Sequence, residues 1–176
     1  MKCVMCDNEA VGKSKYCKEH KKIAHQKWLE KIEADAKERS DKYARYEQVY
    51  REAQEKAWQA WQELTPTPMV VEQHANMLDD SSPVVKQWYA PSGVCGYAFV
   101  NISSGTASFS RWLVKSGYAG SDSYRGGVNV KMLYFERVRD ASVQSYEKAC
   151  ASAQAFCEVI NSADLGVIAR SVSFLD

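Results

Sequence analysis

Histidine is scarce in this sequence, with three among 176 residues, and this limits the catalytic chemistry available. If His20 binds a metal, only His25 and His74 remain for a Ser-His-Asp or Cys-His site. The sequence also lacks a Gly-x-Ser-x-Gly nucleophile elbow, a phosphate-binding loop ending in Lys-Ser/Thr, and the His-x-Glu with Pro-Cys-x-x-Cys of zinc deaminases. We therefore predict a protein that is not an enzyme.

Long apolar runs are also missing. The longest, such as residues 97–100, are far shorter than the roughly 20 residues of a membrane-spanning helix. The N-terminus turns polar after Cys6 and has no apolar core of a signal peptide. These features predict no membrane partner and a cytoplasmic location.

Six cysteines without a secretory signal favour metal binding or free thiols over disulfides. Four potential ligands follow the pattern Cys3-x2-Cys6-x10-Cys17-x2-His20. A two-residue gap lets one tight turn present two ligands to the same ion, and two such turns complete a tetrahedral zinc site. We predict a structural Zn²⁺ knuckle over residues 1–22, because four protein ligands leave no position open for a catalytic water.

A long helix is predicted for residues 23–64, which lack proline and glycine and are rich in Glu, Lys, Ala and Gln. Steps of three and four residues form an a/d heptad seam, which predicts a homo-oligomer through residues 29–64. Two alternatives are a helix folded back on its own chain and an antiparallel pairing with another protein. The seam consists of Leu29, Ile32, Ala36, Arg39, Tyr43, Tyr46, Tyr50, Ala53, Ala57, Ala60 and Leu64.

Residues 65–93 are predicted to form a linker, because Pro66 and Pro68 end the long helix. Thr67 is a good helix N-cap and Pro68 suits the first helical position, so a short helix is predicted from Pro68 to Leu78.

The remaining residues, 94–176, are predicted to form a small β-α-β-α-β domain. The fold class is therefore α+β or α/β, with a mixed or parallel sheet. The predicted strands are residues 95–102, 127–135 and 166–175, and the helices are residues 106–116 and 142–163. Cys150 and Cys157 lie seven residues apart on the second helix, beyond disulfide reach, and are predicted to be small core residues.

Two segments contain candidate partner-binding residues. In the glycine-rich segment 117–127, Arg125 could bind an anion and Tyr118 or Tyr124 could stack on a base. A simple connection between a helix and a strand explains the same composition. Residues 1–22 hold six lysines against three acidic residues, a net charge of +3, and Lys13, Lys15 and Tyr16 are the candidate contacts there. These lysines either bind phosphates or form a solvated rim.

The C-terminal half resembles a group of small uncharacterised proteins of tailed bacteriophages. The resemblance rests on three motifs, Cys-Gly-Tyr-Ala-Phe-Val at 95–100, Phe-Ser-Arg-Trp-Leu at 109–113 and Tyr-Arg-Gly-Gly-Val at 124–128, and continues through Gln144-Ser145 to Ala169-Arg170-Ser171. It implies a phage-encoded protein acting in the host cytoplasm, and it implies no particular activity. The N-terminus is similar to generic Cys/His zinc knuckles of phage and bacterial proteins.

Together these features predict a non-enzymatic, zinc-stabilised, oligomeric adaptor that binds a host or phage protein or a nucleic acid. One alternative is a structural component of a virion. Another is an enzyme that uses carboxylates or Cys95 of the C-terminal domain.

Overall fold

Helix α1 dominates the N-terminal part of the chain and spans Lys18–Glu63, 46 residues. Its sequence contains neither proline nor glycine, and the helix ends just before Thr65 and Pro66, since proline cannot continue the backbone hydrogen-bond ladder. The predicted long helix is confirmed. It begins within the segment predicted as the knuckle, because His20 lies in its first turn.

The computed structural model describes residues 1–132 and 145–175. The chain divides into two compact units, Met1–Arg45 and Tyr46–Asp176, with the boundary inside α1. Among the described residues, no helix combines the length and apolarity needed to cross a membrane.

The segment predicted as a linker with a short helix forms a β-hairpin instead. Strand β1, Met69–His74, pairs antiparallel with β2, Val84–Ala90. The helix prediction from Pro68 to Leu78 is therefore wrong. The helix was predicted from a local signal, the capping residue Thr67. The β-branched residues Val70 and Val71 instead adopt an extended conformation, because they pair with Tyr89 and Trp88 on the neighbouring strand.

A second sheet contains four strands in the order β4-β5-β3-β6. These strands are β3 Gly96–Ile102, β4 Ala119–Ser121, β5 Val128–Val130 and β6 Ala169–Leu175. Every pairing in this sheet is antiparallel, so the fold is α+β and the prediction of a mixed or parallel sheet is wrong. The pairing direction depends on where distant strands meet, which the order of elements along the chain does not determine.

The described residues of this domain form two further helices, α2 at Ser108–Lys115 and α3 at Tyr146–Ser162. They confirm the two predicted helices, and β4 adds a strand inside the segment predicted as a loop. The predicted end of the second strand at 133–135 and the first residues of the second helix at 142–144 lie outside the described residues.

The core of the second unit lies between this sheet and the helices. Ala98, Val100 and Ile102 alternate along β3 with no exposed surface, and Phe109, Leu113, Phe156 and Ile160 of α2 and α3 are equally buried. The second half of α1 also contributes: Tyr46 meets Phe109 edge-on, and Tyr50 meets Phe156. Burial that alternates from Gly96 to Val100 is the pattern of a sheet covered by helices on one face. Asn101, on the other side, is 8% exposed and hydrogen-bonded to the Gly126 carbonyl.

The predicted heptad seam is divided by this packing. Tyr46, Tyr50, Ala53 and Ala57 are buried in the core of their own chain, as the fold-back alternative predicted for this half. Leu29 and Ile32 remain 37% and 44% exposed. The part of the seam from Tyr46 to Ala57 is therefore not a free surface for oligomerisation, and this part of the predicted interface is wrong.

Candidate functional site

The candidate metal site is built from two short backbone segments that present four ligand residues. A single antiparallel bridge joins Lys2 to Glu9, and the amide of Cys3 donates to the Asn8 carbonyl at 2.9 Å. This closes the turn that carries Cys3 and Cys6. Cys17 immediately precedes α1, and its carbonyl accepts the amide of Lys21 at 2.8 Å, so the helix start fixes Cys17.

Three of the six separations between the ligand atoms match the edges of a tetrahedral zinc site. With Zn–S near 2.3 Å and Zn–N near 2.0–2.1 Å, a tetrahedron has S···S edges of about 3.8 Å and S···N edges of about 3.5 Å. The Sγ atoms of Cys6 and Cys17 lie 3.7 Å apart. His20 Nδ1 lies 3.5 Å from Cys3 Sγ and 3.4 Å from Cys17 Sγ. All four ligand atoms lie within 4.8 Å of one another.

The two halves of the site are held together by backbone hydrogen bonds. The amide of Val4 donates to the Lys15 carbonyl at 3.1 Å, and the amide of Val11 donates to the Tyr16 carbonyl at 3.1 Å. Gly12, with φ of 58°, allows the turn between them in a conformation that glycine adopts at little cost. Cys3 and Cys17 are only 6% and 5% exposed. The cluster therefore has a defined scaffold and a protected interior.

The environment of the thiols alters their pKa values in opposite directions. Burial alone would raise the pKa of the Cys3 thiol. Hydrogen bonds outweigh the effect of burial and lower this pKa to about 6; they come from the backbone of Cys17 and Met5 and from the side chains of His20 and Cys6. At Cys6 the backbone of Asn8 favours the thiolate. Burial and the neighbouring Cys17 and Cys3 thiols outweigh that effect and raise the pKa of Cys6. A bound cation would relieve this crowding of thiols, because thiolates are the form that binds metal.

The predicted ligand set is thus brought together in space, and these four residues could hold a metal ion. Three sulfurs and one imidazole nitrogen complete a tetrahedron by themselves.

The three partner-binding candidates in this unit lie between the two ligand pairs. Lys13 and Lys15 are exposed, and Tyr16 is half-buried with its amide donating to Ser14 Oγ at 3.2 Å. Beside them is an open groove of about 540 Å³ lined by Val11, Lys18, Lys21, Lys22 and His25. His25 was not predicted as a partner-binding residue. The one clue to its place in this groove was its position in α1, two turns after Lys18.

The structure separates Tyr118 from the other two candidates of the 117–127 segment. Tyr118 is half-buried and stacks on Tyr50 with 4.3 Å between ring centroids, and its hydroxyl donates to Glu47 at 3.3 Å. It is therefore a packing residue on the helix side of the domain. Tyr124 is 87% exposed, and the Arg125 guanidinium lies 5.3 Å from its ring centroid.

A polar cluster around Asp122 was missed by the sequence analysis. The Nδ2 group of Asn101 donates to Asn129 Oδ1 at 2.9 Å and to the Gly126 carbonyl at 3.1 Å. Asn129 Nδ2 donates to Asp122 Oδ2 at 3.0 Å. The backbone amide of Arg125 is the largest influence that lowers the pKa of Asp122, with further help from Tyr124, Asn129 and the Arg125 charge. An Asx-turn signal at Asp122, followed by two glycines, was the available clue.

The remaining histidines and cysteines are dispersed. His74 shares a hydrogen bond of 2.6 Å between Nδ1 and the Ser82 carbonyl in the hairpin, and His25 stacks on Trp28. Cys95 is exposed, and burial raises the pKa of Cys157 to about 12. The prediction that Cys157 is a core residue is confirmed, whereas Cys150 is only partly buried.

No family model, curated protein or solved structure matches this chain. The resemblance to proteins of tailed bacteriophages therefore stays a prediction.

Proposed function

We propose that this protein is a non-enzymatic, zinc-stabilised binding protein, in which the metal folds the N-terminal head and other surfaces engage a macromolecular partner. The observation that supports it most is the close approach of four ligand atoms, from Cys3, Cys6, Cys17 and His20, which all lie within 4.8 Å of one another. Three of their separations, at 3.4–3.7 Å, match the edges of a zinc tetrahedron, and four protein ligands leave no position for substrate or catalytic water.

Zinc is the proposed metal because of the ligand chemistry. Three thiolates and an imidazole are soft and borderline ligands, which suit zinc better than the oxygen-preferring Mg²⁺ or Ca²⁺. The head has little else to stabilise it: within Met1–Arg45 the only buried apolar side chains are the two ligands Cys3 and Cys17. A metal would supply the folding free energy that an apolar core supplies elsewhere.

The absence of catalysis is proposed from the positions of the histidines. His20 belongs to the metal cluster, His25 stacks on a tryptophan, and His74 is bonded to a backbone carbonyl. Each histidine thus already has a structural partner. A general base for a Ser or Cys nucleophile would have to come from another residue type.

Self-association is proposed for the exposed half of the predicted seam. Leu29, Ile32 and the off-seam Ile23 and Trp28 are between 37% and 55% exposed on α1. A helix stripe of this kind gains stability by pairing with a second copy. Size-exclusion chromatography with light scattering should give an oligomer for the full chain and a smaller species for Ile32→Lys. The matched control Glu33→Lys changes the neighbouring residue and should leave the oligomer intact.

The resemblance adds a proposed setting, the cytoplasm of a host cell infected by a phage.

The experiment for the central proposal is a metal analysis of the purified full chain and two variants. We expect about one zinc per chain in the wild type and in the control Cys95→Ser, and none in Cys17→Ser, because three ligands hold zinc far less tightly than four. Equal zinc in all three proteins would contradict the ligand assignment.

A further inference from the structure

Among residues 1–132 and 145–175, the helices cover one face of the four-stranded sheet and leave the second face without a helix. Along β3, Ala98, Val100 and Ile102 point into the core, so the alternate residues lie on the opposite side. The register places Tyr97 opposite Phe174, Phe99 opposite Val172, and Asn101 opposite Arg170. We call these six residues the outer face.

Aromatic rings form a row across the outer face. The ring centroids of Tyr97 and Phe174 lie 5.3 Å apart at an interplanar angle of 26°, and those of Phe99 and Phe174 lie 6.1 Å apart at 14°. Tyr97 is 39% exposed, and Phe99 and Phe174 are half-buried. Three nearly parallel rings in solvent contact are a platform on which further planar groups can stack.

Arg125 adds a cation to this platform. Its guanidinium lies 5.5 Å from the ring centroid of Phe99 and 5.3 Å from that of Phe174. A guanidinium plane near aromatic rings stacks on bases and also pairs with phosphate oxygens. The platform and the charge therefore lie within reach of the same ligand.

The loop that carries Arg125 is fixed in place. Asp122 Oδ1 accepts the amides of Tyr124 and Arg125 at 2.9 and 3.0 Å, and Asn101 Nδ2 donates to Gly126 from the sheet beneath. Gly127 approaches the sheet so closely that a Cβ there would collide with the Ile102 carbonyl oxygen. The position of Arg125 is thus preorganised, which reduces the entropy lost on binding.

The exposed charge of the outer face and its loop is positive. Arg170 is exposed on the face, and Arg125 lies above it. Asp122 Oδ2 lies 3.9 Å from the Arg125 guanidinium and partly offsets its charge, but the Asp122 side chain is only 6% exposed and accepts hydrogen bonds from two backbone amides and Asn129, whereas the Arg125 side chain is 34% exposed. The charge therefore favours an anionic partner.

We propose that the outer face binds single-stranded nucleic acid, with bases stacking on Tyr97, Phe99 and Phe174 and phosphates contacting Arg125 and Arg170. This names the partner class of the proposed binding function and rests on it. Stacking rings with adjacent guanidinium groups are the features that bind unpaired bases with little sequence preference. A duplex keeps its bases stacked internally and offers the rings nothing to stack on.

The test is fluorescence anisotropy of the full, zinc-loaded chain with labelled oligothymidine and oligouridine of about 20 nucleotides, beside a duplex of equal length. We expect binding to the single strands and weaker binding to the duplex. Tyr97→Leu, which keeps the apolar bulk without the ring, should weaken binding about 5- to 150-fold, and Tyr97→Trp should restore it. Tyr89→Leu removes an exposed aromatic of the hairpin and is the matched control.

Salt dependence tests the two arginines. Two phosphate contacts predict a slope of log K against log[salt] of about −1.4 for single strands, and Arg125→Ala should reduce it to about −0.7. Arg111→Ala, which removes an exposed arginine of α2, should leave both affinity and slope unchanged. Zinc content and circular dichroism of each variant show whether the fold is intact.

Three results would overturn the proposal: no binding to either single strand, equal binding to the duplex, or single-strand binding that Tyr97→Leu and Arg125→Ala leave unchanged. A zinc-loaded, folded chain that fails in any of these ways overturns only the nucleic-acid assignment, whereas a chain without zinc contradicts the proposed function itself. A protein found on this face by cross-linking at Tyr97, without oligonucleotide binding, also overturns it.

Discussion

The two units of this chain, Met1–Arg45 and Tyr46–Asp176, are held together by different means. The first buries only two cysteines among its apolar side chains, and both belong to the four-residue metal cluster. The second buries Phe109, Phe156, Leu113 and Ile160 against a sheet. A unit too small to enclose an apolar core can be stabilised by one ion, whereas a larger unit folds on buried area.

Helix α1 shows the same contrast within one element. Ile23, Trp28, Leu29 and Ile32 on its first half are all at least 37% exposed, whereas Trp61 on its second half is 6% exposed. One continuous pattern of apolar residues therefore has two environments. Periodicity indicates which face of a helix is apolar, but not what covers it.

The largest expected effect is the loss of structure in the head without zinc. In Cys17→Ser, backbone amides such as those of Cys3 and Ala10 should lose protection from hydrogen exchange, because structural zinc contributes on the order of 10 kcal/mol to such folds. The amides of β3 and α3 should exchange as in the wild type, as should every amide of the control Cys95→Ser. If the Cys3 amide stays protected in Cys17→Ser, the first unit does not depend on the metal for its structure, and the proposed difference between the two units is wrong.

The reciprocal change is in the apolar core. Phe156 has no exposed surface and packs edge-on to Tyr50 with 6.0 Å between ring centroids. Phe156→Ala should lower the free energy of unfolding by about 3–5 kcal/mol in denaturant titrations followed by tryptophan fluorescence. Zinc per chain should be unchanged, and the exposed control Gln154→Ala should be close to the wild type. A loss of zinc in Phe156→Ala would show that the two units do not fold independently.

Acid should release the metal before it unfolds the second unit. In the head without bound metal, the pKa of Cys3 is lowered from 9.0 to about 6, so between these values the folded head binds fewer protons than the unfolded chain. The Cys3 thiolate therefore stabilises the folded head at high pH. This stabilisation falls as the pH is lowered through the range from 9.0 to about 6, and it is gone below about 6. Zinc release to a chromogenic chelator should rise as the pH falls towards 6 and below. Release that is constant from pH 8 to about 4 would contradict this.

The smallest expected effects concern two buried hydroxyls. Ser110 Oγ and Ser152 Oγ have no hydrogen-bond partner among the described residues. Replacing either by alanine removes an unsatisfied polar atom, so Ser110→Ala and Ser152→Ala should be neutral or stabilising by up to about 1 kcal/mol in thermal unfolding. A destabilisation by more than about 1 kcal/mol would indicate a partner for the hydroxyl.

The clustering of the four candidate metal ligands was predictable because it depends on local spacing. The gap of two residues between Cys3 and Cys6, and again between Cys17 and His20, is enough to place each pair on one turn. The strand at Met69–His74 and the antiparallel pairing of β3 with β6 were not predictable in this way. Both depend on partners far away in sequence, at residues 84–90 and 169–175.

The outer face shows a further limit on what can be predicted from the sequence. Residues 95–102 are apolar on both alternating faces, a pattern typical of a strand covered on both sides. In the part of the chain that the structure describes, helices cover one side, and Tyr97 and Phe99 on the other side pack with Phe174. A solvent-exposed row of aromatic residues and a buried apolar face give the same alternating pattern in the sequence. They are distinguished only when the neighbouring strands are known.

X-ray absorption spectroscopy at the zinc edge of the full chain tests whether Cys3, Cys6, Cys17 and His20 bind the metal. A site built from these residues should show three sulfur ligands at about 2.3 Å and one nitrogen ligand at about 2.0–2.1 Å, with no water bound to the zinc. A protein that carries no zinc, or a zinc ion with fewer than three sulfurs or with an oxygen ligand, would contradict this assignment.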